Sequence, residues 1–135
     1  MILVDASIIM YAAGAEHPHK RPSVALLERI ADGELEATID AEVLQEILHR
    51  YRAIGRWEDG RQVYDLTRQL FPSVVPVTAA VLDRARRVLD DDSHIMARDA
   101  LHAAVVMTEG LEAVCSYDHD FDRIKGLVRR EPHEL

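Results

Sequence analysis

The sequence predicts an α/β protein with a mostly parallel sheet flanked by helices. Short, uninterrupted apolar runs recur along the 135 residues, and stretches with helical apolar spacing fill the gaps between them. Strands alternating with helices need right-handed crossovers, which lay the helices against a parallel sheet. No linker, repeat or low-complexity segment divides the chain, and its length suits one domain over residues 1–135.

Taken in order, Ile2-Leu3-Val4 reads as a strand buried on both faces. No element is assigned between Asp5 and Pro22. Pro22 to Ala31 is a helix with proline near its first turn and Gly33 after its end. Glu36 to Ile39 is the second strand. Asp40 then caps a helix through Val43, Leu44, Ile47, Leu48 and Tyr51 that stops at Gly55. Gly60 to Leu70 is a further helix. Ser73 to Val77 is a weaker strand, because Pro72 and Pro76 suit an edge better than a centre. Ala79 to Leu89 is helical. Arg98 to Glu109 is apolar nearly all round, hence a buried helix, and ends at Gly110. Ala113 to Ser116 is the third clear strand, and Leu127 to Arg129 closes the sheet.

Composition narrows the class. Apolar residues make up 48% and charged residues 30%, the balance of a soluble globular protein. No apolar run is long enough to span a membrane, and the opening MILVDAS lacks the basic and apolar regions of a signal peptide. A single cysteine, Cys115, excludes an internal disulfide and a multi-cysteine metal site. These features together place the chain in the cytoplasm. The formal charge of −8 offers no easy support for a nucleic-acid partner. Yet the basic residues are fourteen Arg against two Lys, and Arg is the better phosphate fork. Carboxylates crowded at a cation site also count against net charge until the ion neutralises them.

The acids fall in a pattern. Asp5 follows the first strand and Asp40 the second, with Glu42 and Glu46 on the helix that Asp40 starts. Asp118 follows the third strand, with Asp120 and Asp122 behind it, and Asp99 opens the buried helix. Ligands of parallel sheets bind beyond the carboxyl ends of the strands, where these residues lie. On a helical wheel of about 100° per residue, Glu46 borders the Val43/Ile47 stripe and Glu42 lies about 40° further out, so Glu46 is the inward one. Each acid also has a plain structural use. Asp5 and Asp118 can form turns or caps, Glu46 can be a solvated face residue, and Asp99 can complement its helix dipole. The conjunction is what points to chemistry. Carboxylates about 5 Å apart repel by roughly 3 kcal/mol per pair at an effective dielectric near 20, which a shared cation relieves. Oxygen donors without a His–Cys set suit Mg²⁺, with Mn²⁺ as substitute, and the matching reaction is phosphodiester hydrolysis by metal-activated water.

Val4-Asp5-Ala6-Ser7, Val43-Leu44-Gln45-Glu46, Arg98-Asp99-Ala100-Leu101-His102-Ala103-Ala104 and Ser116-Tyr117-Asp118-His119-Asp120-Phe121 occur in this order across essentially the whole chain. In these motifs the sequence resembles the PIN-domain family, and within it the VapC-type toxins of bacterial toxin–antitoxin pairs. The resemblance implies a three-layer α/β/α sandwich and a quartet, Asp5, Glu46, Asp99 and Asp118, holding one or two Mg²⁺ or Mn²⁺ ions. It implies a supporting role for Ser116 and makes Asp122 a candidate extra acid; Ser7, two residues after Asp5, is a second supporting candidate. It further implies endoribonuclease activity on an RNA substrate, a homodimer, and a cognate antitoxin that assembles with the toxin into a heterotetramer or larger complex.

The Arg-rich region from Tyr51 to Pro72 suggests a grip on RNA or antitoxin through Arg52 and Arg56; a solvated helical hairpin is an equal reading. Trp57 and Tyr64 suit either base stacking or burial. His17, His19, His94 and His133 are expected at the surface, whereas His102, three residues after Asp99, faces either the site or the core. Among rival classes, a haloacid dehalogenase-like phosphatase wants an Asp where Ser7 stands, and a receiver domain wants a Lys better placed than Lys125. A housekeeping RNA-processing nuclease and a catalytically weak PIN binding module remain the alternatives.

Overall fold

Ile2 and Val4 pack on one side of strand β1 (Ile2–Val4) and Leu3 on the other, as the two-residue period of a strand requires. All three are buried, which makes β1 a central strand. The computed structural model describes residues Met1–Leu135 and places β1 between β2 (Ala37–Thr38) and β3 (Val114–Cys115), with β4 (Arg129–Arg130) beyond β3. Every pairing is parallel. The carboxyl ends of all four strands therefore share one edge.

Six helices complete the chain: α1 (Ala6–Ala13), α2 (Lys20–Ala31), α3 (Ala41–Ala53), α4 (Trp57–Leu70), α5 (Ala79–Asp91) and α6 (Ala97–Glu109). Leu3 and Val114 face α5 and α6, where Val81, Ala85, Val88, Leu101 and Val105 form one core with Phe121. Ile2, Val4 and Cys115 face the other way, onto Ile8, Leu26, Val43 and Ile47 of α1, α2 and α3. Two cores on the two faces of one sheet make the three-layer α/β/α sandwich. Burial pushes the Cys115 thiol up to about 12, so it is a packing group.

The helix over Ala6–Ala13 is the element the sequence does not announce. Asp5 occupies its N-cap position with extended backbone but makes no side-chain cap. Burial of Ala6, Ile8 and Ile9 holds this short helix instead. Ser73–Val77 forms no ladder; Val75 alone bridges to Asp40, donating to the Ile39 carbonyl and accepting from Ala41 N–H, both at 2.9 Å. The flanking prolines stop it there. The last strand is Arg129–Arg130 rather than Leu127–Arg129, because Gly126, at φ 84°, turns the chain first. Between α3 and α4, a Cβ at Gly60 would sit 2.4 Å from the Tyr51 Cβ, so glycine sets how closely these helices approach. No helix is long and apolar enough to cross a membrane.

Candidate metal centre

Asp5 leaves the end of β1 at the carboxyl edge and is almost fully buried. Its Oδ2 accepts from Ser7 Oγ and from Ser116 Oγ, each at 2.7 Å. Ser116, at the end of β3, also accepts from the Asp118 backbone N–H at 3.0 Å, so one hydroxyl ties two of the acids together. Asp5 Oδ1 lies 4.0 Å from His102 Nε2.

Glu46 rides on the inward face of α3 and is 8% exposed, while Glu42 lies only half-buried. Glu46 Oε1 is 3.4 Å from Arg98 Nε, and Oε2 is 3.4 Å from His102 Nε2. Neither Glu46 Oε2 nor His102 Nε2 makes a hydrogen bond, although both are buried. The other ring nitrogen of His102, Nδ1, is 2.6 Å from Asp40 Oδ2. Asp40 is fully buried, and its Oδ1 accepts from Val43 N–H at 3.0 Å, capping α3. Asp40 thus caps a helix and orients an imidazole at once. Burial by itself pushes the His102 pKa down, but Asp40, Glu46 and Asp5 outweigh it and hold it well above the ordinary value.

The open side of the site is built differently. Asp99 stands half-buried in the first turn of α6. Burial, then the neighbouring charges of Asp118 and Asp5, pushes its carboxyl up to about 6. Asp118 is exposed and caps a short 3₁₀ turn, His119–Arg123, by accepting from Asp120 N–H at 2.9 Å. Ligand atoms of Asp5, Glu46 and His102 lie within 4.8 Å of one another, and so do those of Asp99, Asp118 and Asp120. These acids border a cleft of about 810 Å³ whose walls also carry Arg50, Arg56 and Arg98. A second hollow, of about 650 Å³ beside α5, is walled by Arg84, Arg87, Arg123 and Lys125 and contains none of these acids.

The donors fit a divalent cation. Carboxylate oxygens dominate, as Mg²⁺ and Mn²⁺ prefer. Carboxylates crowded this closely repel one another, a cost that a bound cation removes.

Residues 2–127 match the PIN domain family. The chain belongs to the PIN-domain family. Ribonuclease VapC13 of Mycobacterium tuberculosis is 41% identical over 129 residues, which cover 96% of this chain and 98% of that relative. Ribonuclease VapC23 of the same organism is 33% identical over 119 residues, covering 88% and 94%. This PIN domain therefore falls among the VapC ribonucleases. Two solved structures share its fold at low identity. FitAcB from Neisseria gonorrhoeae superposes with a TM-score of 0.78 at 18% identity over the full length of both chains. VapBC2 from Rickettsia felis, solved with a fragment of promoter DNA, gives 0.76 at 19% identity over 97% and 98%.

Within this PIN domain, Asp5, Glu46, Asp99 and Asp118 line one cleft, with Ser7 and Ser116 bracing Asp5. Asp122 does not join them. Arg129 holds it at 2.9 Å and depresses its pKa, and Arg129 also donates to the Ser116 carbonyl at 3.0 Å. Asp120 is the acid that lies with Asp99 and Asp118. Arg56 lines the cleft, whereas Arg52 stacks over Trp57 at 4.7 Å and is not on its wall.

Sequence reasoning left His102 undecided and gave Asp40 a capping role only. The available signal was the three-residue step from Asp99 to His102, about one helical turn. Nothing local marks the Asp40 contact, which spans 62 positions. Arg50 and Arg98 were also overlooked as cleft residues.

Proposed function

We propose that this chain is a metal-dependent endoribonuclease, the toxin of a toxin–antitoxin pair, that hydrolyses RNA phosphodiester bonds at the Asp5–Glu46–Asp99–Asp118 cluster. The observation that carries the reading is the convergence of Asp5, Glu46, Asp99 and Asp118 on one cleft. Identity to proteins named VapC ribonucleases supports the choice of RNA and of a toxin.

When bound, Mg²⁺ or Mn²⁺ supplies the charge that polarises the scissile phosphate, acidifies a water and offsets charge on the leaving oxygen. The chain supplies the rest. Ser7 and Ser116 fix one oxygen of Asp5, which aims the carboxylate before any ligand arrives. Asp40 and His102 hold the wall beside Glu46. Asp99 and Asp118 complete the set from the open side, where substrate enters. Arg50, Arg56 and Arg98 place guanidinium groups along the cleft for the RNA phosphates, countering the repulsion of an acidic protein.

The partners of this reading are RNA, a cognate antitoxin and a second copy of the chain. Cleavage of RNA in Mg²⁺ or Mn²⁺ that disappears in EDTA is the expected result; equal cleavage in EDTA overturns the reading. Growth arrest on induction of the wild type, absent for Asp5→Asn, separates a toxin from a housekeeping RNA-processing nuclease.

A further inference from the structure

Four rings cluster around Tyr11, which lines the acidic cleft. Tyr117 directly precedes Asp118 in the chain, and His19 lies flat upon it, with centroids 3.6 Å apart and planes within 7°. Tyr11 stands edge-on to both, at 5.0 Å from His19 and 5.7 Å from Tyr117. His17 leans on Tyr11 at 4.7 Å and on His19 at 4.8 Å. The rings come from three separate places: α1, the α1–α2 loop and the segment after β3.

Two features distinguish this group from ordinary packing. It is not interior, since His17 is exposed and the other three rings are half-buried. It is also fixed in place. His17 Nδ1 accepts from the His19 backbone N–H at 3.0 Å, which sets the direction of the exposed ring. Tyr11 belongs to the same cleft wall as Asp5, Asp99 and Asp118. Lys20 reaches the carbonyl of Gly14, another cleft residue, and brings a positive charge to the same end. An exposed, oriented ring backed by others, with a cation nearby and next to a phosphodiester-cleaving centre, matches the chemistry of an unpaired nucleotide: a π face to stack and a phosphate to neutralise.

We infer that Tyr11 and His17, buttressed by His19 and Tyr117, form a stacking platform for an unpaired base of the RNA beside the scissile phosphate. This inference rests on the nuclease reading for its substrate. The base must be unpaired, because one inside a duplex has no free face to offer.

Binding of 5′-labelled oligo(A), oligo(U) and oligo(C) octaribonucleotides, followed by fluorescence anisotropy in Ca²⁺, tests it directly. His17→Ala and Tyr11→Leu should each weaken binding about tenfold, whereas His17→Tyr should stay within about twofold of wild type. A fully paired RNA duplex should bind with no dependence on either ring. In cleavage assays the loss should appear in KM, with kcat nearly held. Wild-type affinity in both ring variants overturns the platform, as does failure of the wild type to bind any octamer. If those variants instead lose only antitoxin affinity, the rings belong to a protein contact and the platform is likewise overturned. The two readings separate cleanly. Ring-dependent binding without Mg²⁺-dependent cleavage overturns the nuclease and keeps the platform, and ring-independent binding with normal cleavage does the reverse.

Discussion

The acidic centre has two halves built on opposite principles. Asp5, Glu46 and His102 are buried, braced by Ser7, Ser116 and Asp40, and each is held by groups from other parts of the chain. Asp118 and Asp120 are exposed, and their hydrogen bonds run to neighbours a few residues away. Asp99 stands between the halves, half-buried on α6. The contrast teaches that preorganisation and access are divided between them. The buried half fixes ligand positions at a desolvation cost, and the open half leaves room for a phosphate to enter.

The sharpest way to break the comparison is by activity. Asp5→Asn should lower Mg²⁺-dependent RNA cleavage by about a thousandfold or more, because the carboxylate lost is one whose direction the fold has already fixed. Asp120→Asn should lower it by less than about tenfold, since water readily replaces an exposed ligand. Equal losses in a steady-state assay would show that burial does not grade these acids.

Stability gives the next largest effect. His102→Ala leaves Asp40 and Glu46 buried without their common neighbour, and should destabilise the fold by about 4 kcal/mol in urea melts without metal. Asp120→Asn, at the surface, should fall within about 0.5 kcal/mol of wild type. Metal binding follows in size. Mn²⁺ at a hundredfold excess over its dissociation constant should add about 2.7 kcal/mol to the wild type. Most of that gain should vanish in Asp5→Asn, and most should survive in Asp120→Asn. A gain that survives in Asp5→Asn would place the ion wholly in the open half.

How legible each half was in the sequence follows from the same division. The acids themselves were readable, because parallel strands deliver their carboxyl ends to one edge and Asp5 and Asp118 sit just beyond strand ends. The helical wheel separated Glu46 from Glu42 because α3 has one apolar stripe and burial follows it. What failed was anything decided by distant side chains. Nothing local to Asp5 marks the bond it accepts from Ser116, 111 positions away. Asp120 and Asp122 are two residues apart in one short turn, and Arg129, arriving on β4, decides that Asp122 is the one drawn off. The α1 helix escaped for a related reason, since it lacks the capping bond that normally marks a start and is held by burial in the second core.

The smallest effect concerns Asp99, whose pKa lies at about 6 in the folded chain and near 3.8 when unperturbed. Between those values the folded state holds a proton that the unfolded state has released. Ionising Asp99 therefore weakens the metal-free fold as pH rises through 6, and protonating it restores that stability as pH falls toward 4. Because this carboxyl is only partly buried, solvent screening reduces the effect to about 1 kcal/mol. Without metal, Asp99→Asn should accordingly be about 1 kcal/mol more stable than wild type at pH 7, with the difference closing near pH 4. Saturating Mn²⁺ should reverse the sign at pH 7, because the ion binds the carboxylate and gains little from an amide. Thermal melts at three pH values, with EDTA or Mn²⁺, read all of this. No gain at pH 7 in EDTA would mean that Asp99 feels neither Asp5 nor Asp118, and the two halves would then be electrostatically separate sites.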